Sequence, residues 1–218
     1  MIKGVVFDLD GTLIDSMKVW SEADRAFLIE HGVEDPPPEI SDKVRRMSVE
    51  ESSEFFISEF GLKCTVSDVI TRIEELVRIQ YEEKIQLKPY VMELLDHLDR
   101  KGIPYGVATA TYRSLAAAVL KRHGLLDRMK FLLTDMDFPQ GKTDPGIFLA
   151  GAKLLGLEPA ETMVVEDSLH CIETASAAGF FTVGVYDDIS ARDRVEIERL
   201  SSLYVEGLDG IITFKDWE

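Results

Sequence analysis

Val5-Val6-Phe7-Asp8-Leu9-Asp10-Gly11-Thr12-Leu13 is an apolar run that ends in two carboxylates and a glycine turn. Residues 2–7 are β-branched and aromatic enough for a buried strand, which should meet water only at its end. Side chains at i and i+2 share one face of a strand, so Asp8 and Asp10 are expected to converge on one point. Two carboxylates that close repel, and at neutral pH they need a cation or a shared proton. A hard metal ion with oxygen ligands, Mg²⁺ foremost, meets that need. Asp-x-Asp-Gly also occurs in plain turns and in calcium loops. A calcium loop closes with Glu at its twelfth position, which counted from Asp8 is Val19, so that version fails.

The chain of 218 residues is long enough for one large domain, or for a domain carrying an insertion. Its 24 basic and 40 acidic residues give a formal charge of −16. Such a surface repels nucleic acid and anionic membranes, and no partner of either kind is expected. Cys64 and Cys171 lie far apart with no C-x-x-C spacing, so they read as free thiols in a reducing compartment. The N-terminus enters a short strand directly, without the apolar stretch of a signal peptide, and no run is long enough to span a bilayer. A cytoplasmic protein is expected, as a monomer with a dimer left open.

Short apolar strands are predicted at residues 2–7, 104–109, 130–134, 162–166 and 181–186. Helices between them include Val91–Arg100, stopped by Lys101-Gly102, and Ser114–His123, stopped by Gly124. This alternation predicts an α/β fold with a mostly parallel sheet, whose ligands bind at the carboxyl ends of the strands. It breaks between about Ser16 and Lys88, where only helical spacing is found. Val19, Trp20, Ala23, Ala26, Phe27 and Ile29 outline one helix, and Ser48-Val49-Glu50-Glu51 is a capping box opening a second through Phe60. A third is expected from about Ser67 to Ile85, burying Val69, Ile70, Ile73, Leu76, Val77 and Ile79. The expected organisation is a core of residues 1–15 and 89–218 with a helical insert, residues 16–88.

Later strand ends supply groups that complement a metal-bound carboxylate pair. Thr109 ends a strand with a hydroxyl, followed by Ala110, where backbone N–H groups could bind a phosphoryl oxygen. Lys142 follows a glycine in a loop beyond a strand and could reach a central anion. Glu166 and Asp167 form a second acidic pair at a strand end, able to complete an oxygen shell. In order and placement these residues resemble the haloacid dehalogenase-like hydrolase superfamily, in its phosphatase and β-phosphoglucomutase-like branch. Asp8-Leu9-Asp10-Gly11-Thr12-Leu13 looks like the first motif, Thr109 the second, Lys142 the third and Glu166-Asp167-Ser168 the fourth. The resemblance implies a Rossmann-like three-layer core with an all-helical C1-type cap. It implies Asp8 as nucleophile, forming an aspartyl-phosphate, and Asp10 as general acid and then base. Thr109, Ala110 and Lys142 would hold the phosphoryl group, and Asp8, Asp10, Glu166 and Asp167 would gather around Mg²⁺. The substrate implied is a small phosphorylated metabolite, a sugar or sugar-alcohol phosphate.

Two departures stand out: Thr143 follows Lys142 where Pro is usual, and Cys171 takes a position usually held by glycine. His31 and His123 precede glycines at helix ends, where a cation complements the helix dipole, and His170 reads as structural. Gly141-Lys142-Thr143 imitates the tail of a P-loop, but the earlier glycine that motif requires is Met136. A receiver-type signalling module is a non-enzymatic rival, yet it has no use for a second Asp or a cap. Dehalogenases lack the second Asp, because a halide needs no proton. Mutases of the capped branch carry a histidine about where Trp20 stands, so Trp20 favours hydrolysis and is a substrate-contact candidate. Arg45 and Arg46 are the cationic candidates for a second anionic group on the substrate.

Overall fold

In the computed structural model, the described residues are 1–44, 47–138, 140–215 and 217. Among them, six strands form one parallel sheet: β1 (Gly4–Phe7), β2 (Tyr105–Thr109), β3 (Leu132–Thr134), β4 (Thr162–Glu166), β5 (Phe181–Val185) and β6 (Leu203–Val205). Their spatial order is β3-β2-β1-β4-β5-β6. The chain winds outward from β1 on one side, then returns to β4 and winds outward on the other. The reversal opens a crevice beside the carboxyl end of β1, the usual ligand site of such sheets. Phe7 lies level with Val107 of β2 and Val165 of β4, so Asp8, Thr109 and Glu166 emerge along one edge.

Period-two alternation explains how β1 is buried on both faces. Val5 and Phe7 join one apolar cluster with Tyr105, Val107, Met163 and Val165. Val6 joins the other, with Ala108, Val164, Ile147 and Phe148. Helices α5 (Val91–Lys101), α6 (Arg113–Arg122), α7 (Gly146–Leu155), α8 (Leu169–Ala177) and α9 (Arg194–Leu200) lie in the connections between strands, and α10 (Asp209–Ile212) follows β6. The expected stops hold for α5 and α6, each with basic side chains in its last turn and a left-handed glycine beyond, Gly102 and Gly124.

Between β1 and α5 come α1 (Met17–Glu30), α2 (Ile40–Val44), α3 (Val49–Phe60) and α4 (Val66–Ile79). The capping box of α3 forms as read: Glu51 N donates to Ser48 Oγ at 3.2 Å and Ser48 N to Glu51 Oε2 at 2.7 Å. A second box, Thr65 with Asp68, starts α4 slightly earlier than expected. Val69, Ile73 and Val77 are its buried stripe, whereas Ile79 is 54 % exposed, correcting it from core to surface. The third helix does not run on as α-helix to Ile85. From Gln80 to Lys84 it widens into a π-turn, closed by Ile85 N on Gln80 O at 2.8 Å, and Tyr81 is fully buried there. The two connections flanking these helices lie side by side. Asp15 N donates to Gln86 O, Lys88 N to Leu13 O, and Ile14 bridges Leu87 antiparallel. Helix α2 and strand β6, too short to show periodicity, are elements the sequence reading missed.

Candidate active site

Where β1 runs out, Asp8 is 7 % exposed and its backbone N–H still bonds Val165 O at 2.9 Å. Lys142, 6 % exposed, sits on a short turn after β3. Its ammonium donates to Asp8 Oδ1 and, at 2.7 Å, to Glu166 Oε1. Asp8, Glu166 and Asp167 each bring one carboxylate oxygen within 4.8 Å of the others, all buried. Three buried carboxyl groups face one ammonium in a desolvated site. Burial pushes the Asp8 carboxyl well above its usual range, with Glu166 and Asp167 adding to the effect and Lys142 opposing it. Asp167 is pushed up to about 7 by burial and by Glu166.

Other groups fix this cluster from behind. Ser190 Oγ donates to Asp167 Oδ2 at 2.8 Å. Lys88 Nζ ties Gly11 O at 2.6 Å, Tyr186 O at 2.9 Å and Asp187 Oδ2 at 3.0 Å, clamping the turn after Asp10 to the loop after β5. Gly11 has φ +81°, and a Cβ there would lie 2.9 Å from the Asp167 carboxyl carbon. Only glycine allows that close approach.

The Asp10 carboxylate stands apart from the Asp8–Glu166–Asp167 oxygen cluster. Strand geometry ends at Phe7, so the i, i+2 rule no longer governs residue 10, and Gly11 N bonds Ile14 O in a tight turn. The Asp10 carboxylate turns instead into a ring of donors. Ser16 Oγ at 2.6 Å, Trp20 Nε1 at 3.3 Å and the Tyr81 hydroxyl reach Oδ1. Thr111 Oγ1 at 2.6 Å and Thr109 Oγ1 at 3.4 Å reach Oδ2. Thr109 is also bound by Thr111 N at 3.0 Å, so its hydroxyl already has two partners.

A cleft of about 220 Å³ opens over these groups. Asp8, Asp10, Thr109, Ala110, Lys142 and Glu166 form its floor, and Trp20, Asp24, Glu51, Ser52 and Ser53 line the wall offered by the helices before α5. His170 also lines it, 3.3 Å from the buried Cys171 Sγ, whose thiol is pushed up by burial. Cys64 and Cys171 are both free thiols. Trp20 faces the cleft, but its N–H is engaged by Asp10 and Tyr81. Arg45 and Arg46 lie outside the described residues.

The sequence profile described as haloacid dehalogenase-like hydrolase matches residues 2–179, most of the chain. This chain belongs to that family. Among relatives, hexitol phosphatase A of Escherichia coli (strain K12) is 32 % identical over 183 residues, covering 84 % of this chain and 82 % of its own. N-acetylmuramic acid 6-phosphate phosphatase of Pseudomonas aeruginosa is 29 % identical over 187 residues, covering 84 % and 81 %. The crystal structure of β-phosphoglucomutase from Clostridium difficile superposes with a TM-score of 0.79 at 21 % identity, covering 97 % of this chain and 93 % of that one. The Rossmann-like α/β fold expected of a haloacid dehalogenase-like hydrolase is thus the fold observed, and the chain is an enzyme of the hydrolase class.

The motif residues of the haloacid dehalogenase-like pattern, Asp8, Thr109, Lys142, Glu166 and Asp167, meet at one end of the sheet. Ser16, Tyr81, Thr111, Lys88 and Ser190 complete their surroundings and were not singled out from sequence. Tyr81 alone carried a signal, lying four residues beyond Val77 on the buried stripe of α4.

Proposed function

We propose that this hydrolase is a Mg²⁺-dependent phosphatase that cleaves the monoester of a small phosphorylated metabolite, a sugar or sugar-alcohol phosphate, through an aspartyl-phosphate on Asp8. The observation that carries this reading is the Asp8–Lys142–Glu166–Asp167 cluster beside a separately held second carboxylate, Asp10. The donor set fits the metal: hard oxygen donors, buried, with three carboxyl groups facing one lysine. Asp8, Glu166 and Asp167 would hold Mg²⁺, which when bound neutralises charge on the transferring phosphoryl group.

In the first step an Asp8 carboxylate oxygen attacks phosphorus and the bond to the leaving oxygen breaks. Asp10, lining the same cleft, gives that oxygen a proton. In the second step Asp10 takes a proton from water, which attacks the acyl phosphate and frees Asp8 and phosphate. Lys142, bonded to Asp8 and Glu166, holds the nucleophile and offsets negative charge throughout. Thr109 and the backbone at Ala110 border the phosphoryl position. Residues 16–88 act as a cap that excludes water and selects the leaving group. Arg46 would bind a second anionic group on the substrate.

Trp20 favours hydrolysis over phosphosugar mutase action, because an indole N–H only donates and cannot relay a proton as histidine does. A phosphate-release screen over a metabolite panel, with and without Mg²⁺, tests the reading. Sugar or polyol phosphates should release phosphate only with the metal, and Asp8→Asn should abolish turnover. Release that survives Asp8→Asn removes the covalent mechanism. Interconversion of hexose phosphates without release replaces the phosphatase with a mutase, and phospho-Asp8 stable for hours replaces both with a receiver.

A further inference from the structure

Tyr81 is fully buried and is not among the residues lining the cleft, yet its hydroxyl donates to Asp10. Behind it, Trp20 Nε1 donates to the Tyr81 oxygen at 2.6 Å, and the two rings meet edge to face with centroids 5.9 Å apart. Thr111 Oγ1 lies 3.5 Å away on the other side. The phenol is thus an oriented relay: it accepts from the indole and gives its own proton to Oδ1. Burial and the Asp10 charge push its hydroxyl well above the ordinary tyrosine value, so it remains a donor across the working range. Tyr81 lies in the π-turn Gln80–Lys84 that follows α4 and continues its buried stripe.

The two contributing residues belong to opposite ends of the helical insert: Trp20 lies on α1 and Tyr81 just after α4. Ser16 and Thr111 alone already give each Asp10 oxygen a short bond. The Tyr81 hydroxyl, backed by Trp20, adds to these a donor on Oδ1 that comes from the far end of the helical insert. Resting on the phosphatase reading above, we infer that Tyr81, backed by Trp20, is a positioning residue that aims Asp10 at the leaving oxygen and so ties the acid to the placement of the helical insert. Neither side chain touches the reacting atoms.

The test separates aim from general structural support through the leaving group. An alkoxide must be protonated as the P–O bond breaks, whereas p-nitrophenolate leaves without help. kcat/KM reports the steps up to that cleavage. Tyr81→Phe keeps the ring and removes only the hydroxyl. The ratio of kcat/KM for the best alkyl phosphate of the screen to that for p-nitrophenyl phosphate should fall by about 10–100-fold, since a small misplacement of a general acid forfeits most of its contribution. Trp20→Phe should lower the same ratio by a smaller factor. An unchanged ratio in Tyr81→Phe, whether both values hold or both drop together, overturns the inference. Wild-type protein that hydrolyses neither substrate overturns the phosphatase reading first and this inference with it.

Discussion

Asp8 and Asp10 are two residues apart in sequence yet occupy different electrostatic surroundings, one beside an ammonium and two carboxylates, the other inside a ring of neutral donors. Asp10→Asn keeps the shape but cannot move a proton, and turnover of an alkyl phosphate should drop by about 10²–10⁴-fold, measured as kcat. Gly11→Ala places a methyl against Asp167 at a left-handed φ. It should cost ~1–2 kcal/mol, read from the urea midpoint, and weaken Mg²⁺ binding by titration calorimetry. Wild-type stability in that variant would show that the turn relaxes. Asp8, Lys142, Glu166 and Asp167 were legible in the sequence because each follows directly on a strand or its loop, so the sheet alone determines where they meet. Asp10's surroundings were not legible. They depend on a turn that leaves strand geometry and on a tyrosine 71 residues away.

At the scale of elements, continuous apolar runs marked β1, β2, β4 and β5 well, because a strand buried on both faces has a continuous apolar signature. The three-residue β6 has no such signature and is held by its pairing to β5. The π-turn was equally hidden, since a widened turn and a regular one share nearly the same apolar spacing. The capping box of α3, by contrast, was readable from two side chains. Ser48→Ala should destabilise the protein by about 1 kcal/mol in denaturant unfolding, through loss of the bond to the Glu51 N–H. A change near zero would mean that α3 is held by its packing alone.

For the molecule as a whole, the buried acidic cluster links stability to pH and to metal. Asp167 takes up its proton more readily when folded, at about 7, than its ordinary value of 3.8 allows in the unfolded chain. Between those values the folded state binds more protons, so metal-free protein should lose stability as pH rises from about 4 to 7. Mg²⁺ should restore more stability at pH 7.5 than at pH 5, and its binding should release protons. Melting curves with EDTA and with Mg²⁺ at both values check this, and a metal effect independent of pH would contradict it. The adjacent connections at Leu13–Asp15 and Gln86–Lys88 have a different kind of consequence. A segment that departs and returns through neighbouring hydrogen-bonded backbones imposes almost the same closure entropy whatever its length. Lineages of this enzyme could therefore lengthen, shorten or exchange the whole stretch without retuning the sheet. Any transplant would have to bring its own counterparts of Trp20 and Tyr81 or leave the recipient's acid without its guide.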